Sequence, residues 1–478
     1  MGPSGPYLAP MALAEAESIT IVPLFRPQRR QHDGLCVDAV WILSGVVLGW
    51  DIIENICAEA PPAPVGFALV PLTILNMDIE HLQGLLAEAK ASLDLYESTQ
   101  TDTFRVEAQE KATQLARALE RPKDAILKLS FSPIILMAVR TAHDMNVFPV
   151  LAQATAPVSL AELAAAKPAD PLLVERIMRV LVANGFVEEP APSEYLPTAL
   201  SREMTQRTSI GVVGSLFHEF LPSVQKVPEY LQSTNYRNPD DPMFAPLQYT
   251  NDMKIDGFTW LCQNPEALTR FNSFMEGQRA GRPHWGDWFP VREQLLDHPD
   301  MTTETPLLVD IGAGRGHDLI GFRNRFPDAP GKLVLEDLPS VIEEVQCAQD
   351  LEAASIDTVA HDFFAEVQPV QGARAYYFKN VLHDWSDEKA TIIFNNLKPA
   401  MKRGFSKVIM EEYILPDQNA RSLPCMTDIA VMVFCSGLER TRQRWSNLLT
   451  SVGLRVIKFW VREGDGLGII EAELAESS

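Results

Sequence analysis

The residues from Leu307 to His317 run an apolar stretch ending in Asp310 into Gly312-Ala313-Gly314-Arg315-Gly316. Glycines at that spacing let a chain turn with positive φ, and they leave room for a ligand where a Cβ would stand. The dinucleotide fingerprint needs its third glycine at the position held by His317. No Gly-Lys-Ser/Thr follows to grip a phosphate either, which leaves a nucleoside without phosphates as the common ligand of such a turn. Glu336 and Asp337 follow about twenty residues later at the end of a second apolar run, where a carboxylate can accept hydrogen bonds from both ribose hydroxyls. Asp337 is the preferred residue, and a solvated strand-end carboxylate is the plain alternative.

A second chemical candidate is His383, inside Leu382-His383-Asp384-Trp385. A single histidine read alone is more often structural than catalytic. Placed straight after a buried strand, it becomes a group that titrates near neutral pH at the carboxyl end of a sheet.

These groups need a scaffold, and the last third of the chain predicts one. Short apolar runs alternate with helices in the manner of a doubly wound α/β sheet. The predicted strands are Leu307 to Ile311, Lys332 to Leu335, Thr358 to Ala360, Ala375 to Phe378, Lys407 to Met410, Leu454 to Trp460 and Leu467 to Glu473. Upstream, Met77 to Leu119 has no proline and shows helical apolar spacing. Ser159 and Glu162 form a capping box, and Asp170-Pro171 starts a helix with an apolar stripe of Leu173, Ile177, Val180 and Leu181 that ends at Gly185. Two short strands, Phe186 to Glu189 and Tyr195-Leu196, complete a winged helix over about 158–200. The expected domains are therefore an extension of unassigned role (1–78), a helical and winged-helix region (79–290) and a Rossmann-like domain (291–478).

The bulk numbers exclude several classes. A chain of 478 residues with 46% hydrophobic and 22% charged side chains is globular and multidomain. Its net charge of −22 repels a phosphate backbone, so the winged helix is read as a packing or dimerisation module and nucleic acid is not an expected partner. A DNA-binding regulator is kept only as a remote alternative. Six scattered cysteines without a C-x-x-C pair fit reduced thiols and a cytoplasmic location. The apolar run from Ala39 to Trp50 is too short to span a bilayer and is read as buried, and no membrane partner is expected. Ala125 to Leu151 is too apolar for a monomer's surface, which points to a homodimer.

Over roughly 110–475 the chain resembles the plant-type and fungal small-molecule O-methyltransferases, which join a winged-helix dimerisation domain to a C-terminal cofactor domain. The resemblance rests on Asp310 to Gly316, Glu336-Asp337-Leu338-Pro339, His361-Asp362-Phe363-Phe364, Leu382 to Asp387, Glu412 to Pro416 and Gly437-Leu438-Glu439-Arg440-Thr441. The stretch from Phe271 through Phe274-Met275 to Trp285 is similar to fungal members, which often methylate phenols of secondary metabolites. It implies S-adenosyl-L-methionine as cofactor, with Gly312, Gly314 and Gly316 along its methionine and ribose. Asp337 would hold the ribose, Asp362 and Phe363 would flank the adenine, and Lys379 would lie beside it.

By the same resemblance His383 is the general base, Glu412 and Glu439 contact its imidazole, and Asp428 lines the acceptor pocket. The acceptor would be a hydroxyl of a small phenolic or polyketide-derived metabolite. A carboxylate on one ring nitrogen would fix the tautomer and stabilise the imidazolium that forms. Met275, Met432, Met426, Phe434, Trp285, Trp288 and Phe289 are candidate pocket walls, although aromatic and Met residues at such spacings are more often plain core. Asp384 beside His383 invites a metal, but adjacent residues seldom point at one ion, so none is expected. Some fungal relatives keep the cofactor and catalyse pericyclic reactions without methyl transfer, which stands as the rival function.

Overall fold

The computed structural model describes residues 78–279, 281–345, 349–462 and 466–476, together with two short backbone strands at Trp41–Leu43 and Val46–Leu48 that pair antiparallel. The chain divides into two compact units, Met1–Asn76 and Met77–Ser478. The burial expected for Ala39 to Trp50 lies outside the described residues.

The larger unit opens with three long helices, α1 (Ile79–Thr99), α2 (Asp102–Leu119) and α3 (Pro122–Asp144). A winged helix follows: β1 (Val158–Ser159), α4 (Leu160–Ala166), α5 (Pro171–Ala183), β2 (Val187–Ala191) and β3 (Glu194–Pro197), with sheet order β1-β3-β2. The Ser159–Glu162 capping box forms in both directions, and the Asp170 carboxylate accepts from the amides of Leu172 and Leu173. The apolar stripe on α5 differs from expectation at two positions, with Val174 and Met178 buried in place of Leu173 and Val180. Val174, Ile177, Met178 and Leu181 are buried while Leu173 is 45% exposed, because the first turn after Pro171 directs residue 174 at the core. The α5 guanidinium of Arg179 pairs with the Glu175 carboxylate on the same helix.

Two helices, α6 (Gly257–Gln263) and α7 (Pro265–Arg279), lead towards the sheet domain. Its strands are β4 (Pro306–Ile311), β5 (Lys332–Asp337), β6 (Ile356–Ala360), β7 (Ala375–Lys379), β8 (Lys407–Leu415), β10 (Leu454–Val461) and β11 (Leu467–Leu474), with a short β9 (Arg440–Thr441) beside the end of β8. The order is β10-β11-β8-β7-β4-β5-β6, and β11 alone runs antiparallel to its neighbours. Helices α8 (His317–Arg325), α9 (Asp387–Leu397), α10 (Ser422–Cys435) and α11 (Arg442–Ser451) belong to the same domain.

All seven expected strands exist, and most extend by one to five residues beyond the predicted ends. Period two explains the double-sided burial: Tyr376, Phe378, Val408 and Met410 join one apolar cluster, while Ala375, Tyr377 and Ile409 join the other. Both faces are covered, as a parallel sheet requires. The strand order reverses between β4 and β7, so the carboxyl ends of those strands open a crevice for ligands.

Candidate active site

The cofactor side of the crevice begins where β4 ends. Gly312, Gly314 and Gly316 have φ of +74°, +55° and +74°, and Gly316 starts α8 as its N-cap. A Cβ at Gly316 would meet Leu335 and Leu351 at 2.8 Å, and one at Gly312 would meet Val381 at 2.9 Å. At Gly314 nothing lies within 4 Å, which leaves open space on the face where a ligand would sit. Gly312 and Gly316 therefore permit close packing, while Gly314 faces the cleft.

The Asp337 carboxylate accepts from the amides of Gly314 (2.8 Å) and Leu338 (2.7 Å), which ties the end of β5 to the glycine turn. Burial raises its pKa, and the two amide bonds oppose that. Its remaining lone pairs suit ribose hydroxyls. Next to it, the buried Glu336 carboxylate meets His361 Nδ1 at 2.5 Å and accepts from the Gln368 amide at 3.1 Å.

Asp362 accepts from the Phe364 amide at 2.9 Å, and Phe363 stands edge-on to Trp385. Lys379 donates to Asp318 at 2.8 Å and lies 3.2 Å from Glu411, so its charge is neutralised within the protein. The glycine turn and the Asp337 carboxylate are thus joined at the carboxyl ends of β4 and β5.

The catalytic side rests on a single turn, Leu382–Asp384, directly after β7. His383 is buried, and its Nδ1 lies 2.7 Å from Glu439 Oε1. Its Nε2 lies 3.5 Å from Asp384. Glu412 stands 3.9 Å from Nδ1 and instead accepts from the amides of Val381 and Leu382, so it braces the turn more than the ring.

Burial disfavours the imidazolium, but Glu439, Asp384 and Glu412 outweigh it and hold the His383 pKa well above its ordinary value. Burial pushes Glu412 up to about 7 and Asp384 up to about 6, each against the pull of His383. His383, Glu412 and Glu439 also have potential metal-ligating atoms within 4.8 Å of one another, a closer cluster than the sequence led us to expect. Glu439 is bonded to His383 and Glu412 to the backbone, while the second carboxylate oxygen of each is buried without a hydrogen-bond partner among the described residues.

Other candidates separate clearly. Asp428 accepts from the Glu439 amide at 2.8 Å and so orients the carboxylate that faces His383, a role its spacing did not reveal. Trp285 and Phe289 are core and not pocket wall: Trp285 stacks on Tyr377 and Phe322, and Phe289 meets Trp460 edge-on. Trp288 packs against the same cluster, and Met426 is exposed. Met432 on α10 and Met275 on α7 are half-buried.

Phe434 belongs to an aromatic cluster that reaches the His383 turn. It meets Phe258 edge-on at 5.2 Å and stacks on Phe271 at 5.7 Å, while Phe258 lies 6.2 Å from Trp385, two residues after His383. The sequence gave Phe258 no distinguishing signal, since a lone aromatic on an amphipathic helix looks like core.

Comparison with known proteins agrees with this architecture. Residues 278–455 match the family model described as the O-methyltransferase domain, and residues 127–207 match the O-methyltransferase dimerisation domain. The chain is 36% identical to the O-methyltransferase penC of Penicillium thymicola, over 80% of its own length and 95% of the relative's. It is 31% identical to the demethylsterigmatocystin 6-O-methyltransferase of Aspergillus parasiticus, over 73% and 88%. The solved structure of LepI complexed with SAM superposes with TM-score 0.74 at 25% identity, covering 83% of this chain and all of that one. A structure described as a pericyclic reaction enzyme gives 0.73 at 26% identity, with the same coverage.

Proposed function

This chain belongs to the O-methyltransferase family and is an S-adenosylmethionine-dependent O-methyltransferase, and from that premise we propose a specific reaction. The acceptor is a hydroxyl of a small phenolic or polyketide-derived secondary metabolite, and His383 is its general base. The observation that carries the reading is the buried imidazole with Nδ1 on Glu439 and Nε2 turned away from that bond.

Bound S-adenosylmethionine supplies an electrophilic methyl on a sulfonium, so transfer is an in-line displacement. The protein must then hold the acceptor oxygen behind that methyl and take its proton. Gly314, Asp337, Asp362 and Phe363 are the residues we assign to holding the nucleoside. Glu439 keeps the Nδ1–H tautomer, which leaves the Nε2 lone pair to accept the proton from the acceptor oxygen. Once His383 is an imidazolium, Glu439 and Glu412 offset its charge in a dry site. Phe258, Phe271 and Phe434 offer ring faces and edges against which a planar acceptor can lie, with Met275 and Met432 as softer walls.

A second reading, in which the cofactor stays bound and a pericyclic step occurs, draws on the likeness to the pericyclic reaction enzyme. Incubation with S-adenosylmethionine and candidate phenols should yield S-adenosylhomocysteine and methylated product in equal amounts. Conversion of an acceptor without S-adenosylhomocysteine would favour the second reading.

The protein acts as a homodimer on this proposal. Helix α3 exposes Ile126, Leu129, Phe131 and Ile134, and it overlaps the dimerisation match. Among the described residues α3 is also the helix long and apolar enough to cross a membrane, though it contains Pro133 and carries charged residues in its first two turns. Light scattering at micromolar concentration should give twice the chain mass, and a single-chain mass would overturn the dimer. The proposed location is the cytoplasm, in keeping with free thiols at Cys262, Cys425 and Cys435.

A further inference from the structure

Four consecutive residues, the last three of the link after α10 and the first of β9, close around the turn that carries His383, and each grips it differently. Gly437 comes so near that a Cβ there would overlap the carbonyl oxygen of His383. The Leu438 amide donates to that same carbonyl at 2.7 Å. Glu439 meets the ring at Nδ1. Arg440 is fully buried and reaches both flanks: Nη1 donates to the Leu382 carbonyl at 2.9 Å, and Nη2 to the Trp385 carbonyl at 2.7 Å.

Two further contacts fix the guanidinium in place. Its Nε donates to Asp387 at the start of α9 at 2.7 Å, and its plane lies 4.9 Å over the Trp445 ring. A buried guanidinium is costly to desolvate, and here its rigid fork is spent largely on two carbonyls on either side of the base. A core that needed only filling would use an apolar side chain.

We propose that Gly437–Arg440 is one clamp that sets the attitude of the His383 imidazole, with Arg440 as its positioning residue. This deepens the reading of His383 as base and rests on it. The clamp acts on the catalytic step alone, since none of its contacts reaches the glycine turn or Asp337.

A lysine cannot span both carbonyls with a planar fork, so Arg440→Lys lets the turn relax by a fraction of an ångström to an ångström. Misplacement on that scale costs about 10²-fold in rate. We expect kcat for methyl transfer to fall by about that factor, with the dissociation constant for S-adenosylmethionine unchanged. Because Arg440 works through His383, its loss should have little further effect in a His383→Gln background.

A wild-type kcat in Arg440→Lys, a parallel loss of cofactor affinity, or the same loss in both backgrounds would each overturn the clamp. Asp387 has a half-exposed side chain, and Asp387→Asn removes the charge that holds the Arg440 Nε and weakens that bond without emptying buried volume. A several-fold drop in kcat at unchanged melting temperature in Asp387→Asn supports the clamp even if Arg440→Lys does not fold, and an unchanged kcat there overturns it. Should His383→Gln alone leave turnover intact, the base assignment fails and takes the clamp with it. If His383→Gln is slow but the Arg440 and Asp387 variants are not, only the clamp falls.

Discussion

Two buried histidines at the carboxyl ends of strands of the one sheet, β6 and β7, each pair closely with a glutamate, yet we propose opposite tasks for them. His361 meets Glu336 at 2.5 Å, and His383 meets Glu439 at 2.7 Å. The difference lies in the second nitrogen. Nε2 of His361 faces the Glu366 carbonyl at 3.2 Å, an acceptor that only an N–H can satisfy, so with Nδ1 on a carboxylate the ring is held as a donor at both ends. Among the described residues Nε2 of His383 has no hydrogen bond and has Asp384 at 3.5 Å, so once the ring is neutral that nitrogen can take a proton. A histidine–carboxylate pair is thus no mark of catalysis by itself. What marks a base is a ring whose far nitrogen the fold has left without a strong partner.

The largest test of that contrast is His383→Gln, which keeps size and polarity and removes the basic nitrogen. Turnover above the acid limb of the wild-type pH profile, where its ring is neutral, should fall by about 10²–10⁴-fold, the usual worth of general-base help. Cofactor affinity, read by titration calorimetry, should stay the same. With a phenol of pKa near about 10, raising the pH should recover part of the rate, because the acceptor then ionises unaided. Turnover equal to wild type would remove His383 from the chemistry.

Glu439→Gln probes the partner on the catalytic pair and should have the next largest effect. Burial lowers the His383 pKa, while Glu439, Asp384 and Glu412 raise it to a net value well above the ordinary one. Only the neutral ring can accept a proton, so wild-type activity rises with pH through that raised pKa. Removing the Glu439 charge should therefore move the acid limb of the kcat profile to lower pH, by about 1–3 units for a charge so close. The maximal rate should also drop, since the tautomer is no longer fixed. An acid limb that stays in place would show that Glu439 does not tune the base.

How much of this contrast could be read beforehand depends on how local each half is. The glycine turn and Asp337 are joined by a Gly314 amide bond across 23 residues of one β-α-β unit, so spacing alone pointed to them. The seven strands were visible because double-sided burial demands apolar runs. The His383–Glu439 pair spans 56 residues and reaches across α9, β8 and α10, and no periodicity encodes that contact. Arg440 is harder still, because an arginine in sequence looks like surface until the carbonyls it serves are in place. Trp285 lies at the other extreme: an aromatic beside the pocket segment, more often core than wall at its spacing, is a stacking partner of Tyr377.

On the cofactor side, Asp337→Ala removes the carboxylate that links β5 to the glycine turn and that we assign to the ribose. Losing a charged hydrogen-bond acceptor costs about 1.5–3 kcal/mol. That corresponds to roughly 10–10² in cofactor affinity. In contrast with His383→Gln, kcat at saturating cofactor should change little. Unchanged affinity would take Asp337 out of the site.

The smallest effect belongs to the structural pair, and it appears in stability. Burial disfavours the charged form of His361, but Glu336 and the Glu366 carbonyl outweigh it and raise its pKa above the ordinary 6.5. A group whose folded pKa is raised binds its proton more tightly when folded. Its contribution is therefore complete below pH 6.5 and is lost as the pH climbs through the folded value, at about 1.4 kcal/mol per unit of elevation. The melting temperature of wild type should decline over that window. His383 contributes a decline of the same sign, so the Glu336 share is isolated by comparing wild type with Glu336→Gln, which keeps the shape and removes the charge. The decline should be shallower in the variant, while kcat at saturating cofactor stays near wild type. Equal slopes would mean that His361 is not held as an imidazolium. A large fall in kcat would mean that the two histidine–carboxylate pairs are less different than their second nitrogens suggest.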